Sequence, residues 1–281
     1  MASNELVMCC WTCHKVPPYR QRVNMGCNGD KTYNMRLPTI HGYIDRRILV
    51  NFTADPDVVR QIIPEPFRPK VYKGKAIVGI CLIRLKNIKI KGLPNFFGVS
   101  SENGAHRIAV EWDEEGETKE GVYIPRRDTS LRLNTILGGR LFPGKHYLAR
   151  FNVQEGNGNY HVDFTSSDNT SISIDAKESE KFPANSIFET LENVSEFFEK
   201  GAVGYSPNRN KYEGLKLQAY SWQVRPLAVQ NVHSSFYENE EVFPRGSVQL
   251  DNALLMTRVE HEWKSMKDKP YTADNSFAKI G

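Results

Sequence analysis

The sequence predicts a mainly β (α+β) fold, an antiparallel sheet closed as a barrel or stacked as a sandwich, with a few short helices. Three observations lead there. Runs rich in Val, Ile, Tyr and Phe recur along the chain, turn signals of Gly, Asn and acidic residues separate them, and only two stretches carry a helical period.

Residues 1–38 mix Cys, Pro, Gly, Asn and Arg with no period of 2 or 3.6, so they read as an irregular arm outside a single domain of residues 39–281. From Tyr43 the run YIDRRILVNF is strand-like. Asp55 and Pro56 supply an N-cap and a first-turn proline, Val58, Val59, Ile62 and Ile63 an apolar face, and Pro64 a stop, which predicts a helix over 55–63. Strands follow at 76–88, 106–112 and 121–125, the last two joined by the hairpin stretch DEEGETK. HYLARFNVQ and YHVDFTSS flank a second turn, GNGN, and TSISIDA alternates with period 2. Ser186 and Glu189 have capping-box spacing, Ile187, Leu191, Val194 and Phe198 share one face, and Gly201 ends the pattern, which predicts a helix over 186–200. KLQAYSWQV, LAVQNVHSSFY and SVQLDNALLMTRVEHEW return to strand.

Composition narrows the function. Apolar residues are 40% and charged residues 25% of the 281, a globular balance that argues against disorder, and no run is long and apolar enough to span a membrane as a helix. Lys and Arg number 37 against 33 Asp and Glu, a net +4 spread along the chain, which argues against a general nucleic-acid binder. The start, MASNELVMCCWTCHK, lacks a secretory pattern, so a cytoplasmic protein with free thiols is expected.

Cys10-Trp11-Thr12-Cys13-His14 has the spacing of a c-type haem attachment site. Cys9 or Cys10 with Cys13, His14 and Cys27 would also make a zinc knuckle. Haem attachment ordinarily needs export, and a short match has a high false-positive rate, so the expectation is an arm without metal and a protein without cofactor. His146, His161 and His233 lack metal-ligand spacing, and Gly138-Gly139 reads as a turn.

Two segments carry acid–base or anion chemistry. Ser100 to His106 reads as a loop between strands with one carboxylate, Glu102, and one imidazole, His106; buried, such a Glu moves protons, while exposed it is a solvated loop residue. Pro125-Arg126-Arg127-Asp128-Thr129-Ser130 puts adjacent guanidiniums at a strand end, where they bind an anion or pair internally with Asp128 or Glu102. Successive strand residues face opposite sides, so at most one of Arg126 and Arg127 faces a cavity. Arg46 and Arg47 admit the same two readings.

The segments RRILVNFTADPDVVRQIIPEPF, SSENGAHRIAVEW and GVYIPRRDTSLRLN together resemble the acetoacetate decarboxylase-like superfamily, in its branch of bacterial domains of unknown function, over residues 43–264. The resemblance implies a single antiparallel β-barrel or cone around a small polar cavity. In the decarboxylases a proline precedes two lysines, one of which forms the Schiff base; here Pro125 precedes Arg126 and Arg127, and an arginine stays protonated and cannot attack a carbonyl. Glu102 falls where the family has an active-site glutamate, Arg46 or Arg47 near its substrate-carboxylate arginine, and Gly79 lies in a run that replaces a second glutamate.

The expected function is binding of a small organic anion, a keto acid or enolisable carboxylate, with lyase-like or isomerase-like turnover that uses no Schiff base. Arg126 or Arg127 would hold the anion or an enolate, Glu102 would move a proton with His106 assisting, and Arg46 or Arg47, Tyr123, Thr129 and Arg132 would contribute to binding. The rival expectation is a non-catalytic ligand-binding barrel. No nucleic-acid or membrane partner is expected, and a homo-oligomer is compatible with the sequence. The site itself is expected to bring Glu102 and one of Arg126 and Arg127 to a common cavity within pairing reach.

Overall fold

The computed structural model of the chain describes residues 38–136, 143–208 and 211–270. The Cys-rich arm with Cys10, Cys13, His14 and Cys27, and the Gly138-Gly139 pair, lie outside them. In chain order the strands and helices are β1 (Ile40–Ala54), α1 (Pro56–Ile62), β2 (Arg68–Pro69), β3 (Val71–Tyr72), β4 (Lys75–Ile90), β5 (Val99–Glu114), β6 (Glu117–Thr129), α2 (Arg132–Ile136), β7 (His146–Gly156), β8 (Asn159–Ser166), β9 (Ser171–Glu178), α3 (Leu191–Lys200), β10 (Val203–Asn208), β11 (Lys211–Ala219), β12 (Arg225–Ser234), β13 (Val248–Ser265) and β14 (Lys269–Pro270).

Local chemistry explains the boundaries. The Asp55 carboxylate accepts from the Asp57 N–H at 2.9 Å and Pro56 opens α1, as its sequence predicts. Both predicted hairpins turn on two left-handed residues, Glu115 and Gly116 after β5, Asn157 and Gly158 after β7, the backbone of a turn that matches strand twist. The predicted helix over 186–200 is shorter. Ser186 donates to Asp251 at 2.7 Å instead of capping, Glu189 is left-handed (φ 66), and Thr190 caps the helix by accepting from the Asn193 N–H. The segment from Ser100 to His106, read as a loop, lies inside β5. Its small polar residues fit a crowded sheet: a Cβ on Gly104 would lie 2.6 Å from the Phe164 ring.

One wall of the sheet runs β13-β1-β4-β5-β6, and the pairings close it on itself twice. One circuit returns from β6 through β10 and β11 to β13, the other through β7, β8, β9 and β12. The pairings are antiparallel except β6–β7 and β6–β10. The single antiparallel barrel expected from the sequence is therefore a mixed sheet whose shared wall is enclosed on both sides, an arrangement that hides strand edges. That explains the run Ile48–Ala54, buried on both faces. Ile48, Val50, Ile80, Leu82 and Ile108 face one core with Phe164; Leu49, Ile77, Cys81 and Ala109 face another, covered by Val194, Phe197 and Phe198 of α3.

Candidate functional site

The period of two sorts the candidate residues onto the two faces of the shared wall. On the first face, Arg46, Arg84 and Glu102 lie side by side across β1, β4 and β5. Neighbouring guanidiniums repel, and carboxylates hold them together. Arg46 donates to Glu102 at 2.6 Å and to Glu155 of β7, and Arg84 donates to Glu102 at 2.5 Å and to Glu155 at 2.9 Å. Both Glu102 oxygens are thus engaged, and its outer side borders a depression with Ser130 and the exposed Arg132.

Arg126 shares this face, but its partners are acids of its own. It donates from Nε and Nη2 to Asp128, the shortest contact 2.7 Å, and from Nη1 and Nη2 to Asp168 at 2.5 and 2.8 Å, with its guanidinium 4.0 Å from the Tyr147 ring centroid. Burial opposes the Arg126 charge, yet the two carboxylates outweigh it and hold the guanidinium above its usual range. The Arg126 partnership in turn pulls Asp168 down to about 2. The expected pairing of Glu102 with Arg126 or Arg127 is not formed: Glu102 is held by Arg46 and Arg84, Arg126 by Asp128 and Asp168, and Arg127 leaves on the other face of the wall. His106, fully buried, has its imidazole pushed down to about 3, first by burial and then by Arg126, and is neutral at physiological pH. Tyr123 packs in the aromatic core against Phe67, and Thr129 accepts from the Leu131 N–H and Asn134.

The second face carries a different set. Arg47 on β1, Cys81 on β4, Arg107 on β5 and Arg127 on β6 line one cavity of about 480 Å³, walled by Phe198, Trp222, Trp263 and residues of β10 and β11. A small recess of about 60 Å³ shares Cys81, Ala105 and Arg127 and reaches Asn103, Asn134 and His146. Pro125 puts Arg127 here: having no N–H to give the ladder, it marks a bulge where β6 carries one more residue than β5, after which Arg126 pairs with His106 and Arg127 with Ala105.

Each of the three cationic side chains has neutral partners. Arg47 approaches the Cys81 sulfur at 3.5 Å and the Met256 sulfur at 3.9 Å, and Arg127 donates to Ser206 at 3.2 Å. Arg107, 3% exposed, donates to the Asn51 amide oxygen and stacks 4.4 Å from the Phe198 centroid, while its Nε and Nη1 have no hydrogen-bond partner. Among the described residues none of the three forms an ion pair with a carboxylate. Burial lowers Arg107, and it pushes Arg127 down to about 10, which leaves Arg127 cationic at neutral pH. The Cys81 thiol, which burial alone would raise, is held below its usual range by the Arg47 and Arg107 charges.

Arg107 is aimed by a buried polar chain. Asn51 donates to Asn252 at 2.7 Å, Asn252 donates to Asp251 at 2.6 Å, and Asp251 also accepts from Ser186 and the Ile187 N–H. Since Arg only donates and Asp only accepts, this order fixes both amide orientations.

The family profile DUF2071, described as an uncharacterized conserved protein, matches residues 44–259. The chain belongs to the DUF2071 family. No curated protein gave a sequence match. Among solved structures, an acetoacetate decarboxylase-like enzyme from Sphingomonas wittichii is similar with a TM-score of 0.52 at 8% identity, over 84% of this chain and 93% of that one. The acetoacetate decarboxylase of Legionella pneumophila gives 0.51 at 11%, over 87% and 94%. The enduracididine biosynthesis enzyme MppR, solved with a condensation product of pyruvate and imidazole 4-carboxaldehyde, gives 0.53 at 9%, over 83% and 89%. At such identities the likeness fixes the fold, which is acetoacetate decarboxylase-like, and leaves function to the site.

In this DUF2071 protein the sequence offered Arg46 or Arg47 and Arg126 or Arg127 without choosing within either pair; the structure brings Arg47 and Arg127 to one cavity, and Arg46, Arg126 and Glu102 lie on the opposite face. Sequence reasoning missed Arg107 and Cys81. Both were legible: counting back from the Glu115-Gly116 turn puts Arg107 one step from the Pro125 bulge, and Cys81 two residues before Ile83, which pairs with Arg47.

Proposed function

We propose that this protein binds a small organic anion, a keto acid or an enolisable carboxylate, in the cavity between Arg47, Arg107 and Arg127. The observation that carries this is the charge imbalance: three guanidiniums around one apolar-walled cavity, with no carboxylate paired to any of them among the described residues. Burying cations without counter-charge costs several kcal/mol, roughly, unless a ligand supplies it. Guanidinium donors match a carboxylate, and Arg107, which lines the cavity with one nitrogen on Asn51, has its Nε and Nη1 without a hydrogen-bond partner. A cavity of about 480 Å³ accommodates a small keto acid with room for its side group. A structural relative, MppR, has been solved with pyruvate, which makes that anion the natural first probe.

In this reading the guanidiniums would also stabilise an enolate if the bound anion lost a proton, since charge developing in a water-poor site is where fixed cations act most strongly. Glu102 and His106 enter differently from the first expectation. Glu102 is tied to Arg46 and Arg84 on the other face and His106 is neutral there, which favours binding over turnover through these two.

The test is a pyruvate titration followed by tryptophan fluorescence, since Trp222 and Trp263 line the cavity. Arg127→Ala should weaken binding by about tenfold or more, the equivalent of about 1.4 kcal/mol, while Arg126→Ala should leave the affinity of the folded protein unchanged. Equal effects of both substitutions would remove the proposed site.

A further inference from the structure

An arginine cannot replace the imine-forming lysine, yet the cavity contains another nucleophile. Cys81 lines both the main cavity and its recess, on the strand between Arg47 and Arg107. Its sulfur sits 3.5 Å from an Arg47 nitrogen. A buried cysteine of the ordinary kind is packed among apolar side chains and stays an inert thiol. Cys81 packs beside Leu49 and Ile77, but two guanidiniums face it as well, and one of them, Arg107, lines the same cavity, is 97% buried and has its Nε and Nη1 without a hydrogen-bond partner. A buried guanidinium left short of acceptors points to a ligand beside the sulfur, independently of the cysteine.

We propose that Cys81 is the nucleophile of this cavity and adds reversibly to the carbonyl carbon of a bound 2-oxo acid whose carboxylate rests on Arg107 and Arg127. The proposal rests on the anion-binding reading above and deepens it. In the addition a sulfur–carbon bond forms while the carbonyl π bond breaks. Its electron pair goes to the oxygen, and the proton given up by the thiol ends there, leaving a neutral hemithioketal and requiring no co-reactant. Arg47, beside the sulfur, is placed to stabilise the oxyanion before that proton arrives. Burial would suppress the sulfur's charged form, but the Arg47 and Arg107 charges outweigh it and favour the thiolate relative to an ordinary cysteine.

Two measurements on the full-length protein test this. The first is alkylation by iodoacetate against iodoacetamide, with the modified position read by peptide mass, since Cys9, Cys10, Cys13 and Cys27 also carry thiols in the sequence. If the guanidiniums recruit the anion, iodoacetate should modify Cys81 faster than the neutral reagent by about tenfold, and pyruvate should protect it. The second is the carbon NMR signal of pyruvate labelled at its carbonyl carbon, with the wild type and Cys81→Ser. The expected result is a tetrahedral carbon in the wild type that is missing in Cys81→Ser, while calorimetry shows Cys81→Ser still binding pyruvate. If both proteins bind pyruvate and the carbonyl signal stays trigonal in both, the nucleophile is refuted and the anion site stands. If neither protein binds pyruvate and iodoacetate shows no preference, the anion site fails and the nucleophile fails with it.

Discussion

Adjacent arginines on one strand do different work because their side chains leave on opposite faces. Arg126 is consumed by Asp128 and Asp168, so it holds structure together; Arg127 meets one hydroxyl and a cavity. Arg126→Ala would leave the fully buried Asp128 carboxylate without its cation, and chemical denaturation should show a loss of about 3–5 kcal/mol. The same logic applies to Arg46 and Arg84, which Glu102 and Glu155 hold together. Glu102→Gln should lower stability by about 1–3 kcal/mol, the cost of leaving partly buried charges short of an acceptor, with unchanged pyruvate affinity. Retained stability with lost affinity or turnover would instead return Glu102 to the ligand's surroundings. At this scale the sequence was half informative. It showed that one arginine of each pair would face inward, through strand alternation, but the choice depended on the Pro125 bulge, whose register effect appears only once β5 and β6 are paired.

The strands position the site by close packing of the shared wall. Gly79 sits in the centre of β4, and a Cβ there would lie 2.2 Å from the Val50 carbonyl oxygen, a backbone atom that cannot move aside. The Tyr237 hydroxyl also reads this point, taking the Gly79 N–H at 3.0 Å and donating to backbone oxygens. Gly79→Ala should therefore cost about 2–3 kcal/mol by overpacking, visible as a lowered denaturation midpoint, and should weaken ligand binding because Asn51, Arg107 and Cys81 flank it. An unchanged midpoint would mean that β1 and β4 separate easily. Elements with local signals were legible in the sequence: α1 from its cap and prolines, the two hairpins from their turn residues. The start of α3 and the strand character of Ser100 to His106 were not, because Asp251 diverts Ser186 and Phe164 selects Gly104, contacts between residues far apart in sequence.

At the scale of the whole molecule, closure of the sheet on both sides of the wall buries groups that would otherwise titrate in water. His106 and His146 are pushed down to about 3 and His261 to about 4, burial being the main cause in each. These imidazoles are neutral when folded but take up protons near pH 6.5 when unfolded, so the unfolded state binds more protons below that value. Stability should be level above about pH 7 and fall as pH drops from 6.5 toward 4, by about 1.4 kcal/mol per pH unit for each imidazole. Denaturation at stepped pH checks this, and a stability that rises on acidification would contradict it. A closed sheet was legible, its second circuit was not: the parallel pairings β6–β7 and β6–β10 join segments with no local signal for each other, which is why a single antiparallel barrel was expected. The cavity they create carries the central claim, and a crystal structure with pyruvate tests it most directly. The ligand is predicted between Arg107, Arg127 and Cys81, with its carboxylate on guanidinium nitrogens; pyruvate bound beside Glu102 and Arg132, with the Arg47–Arg107–Arg127 cavity holding only water, would contradict it.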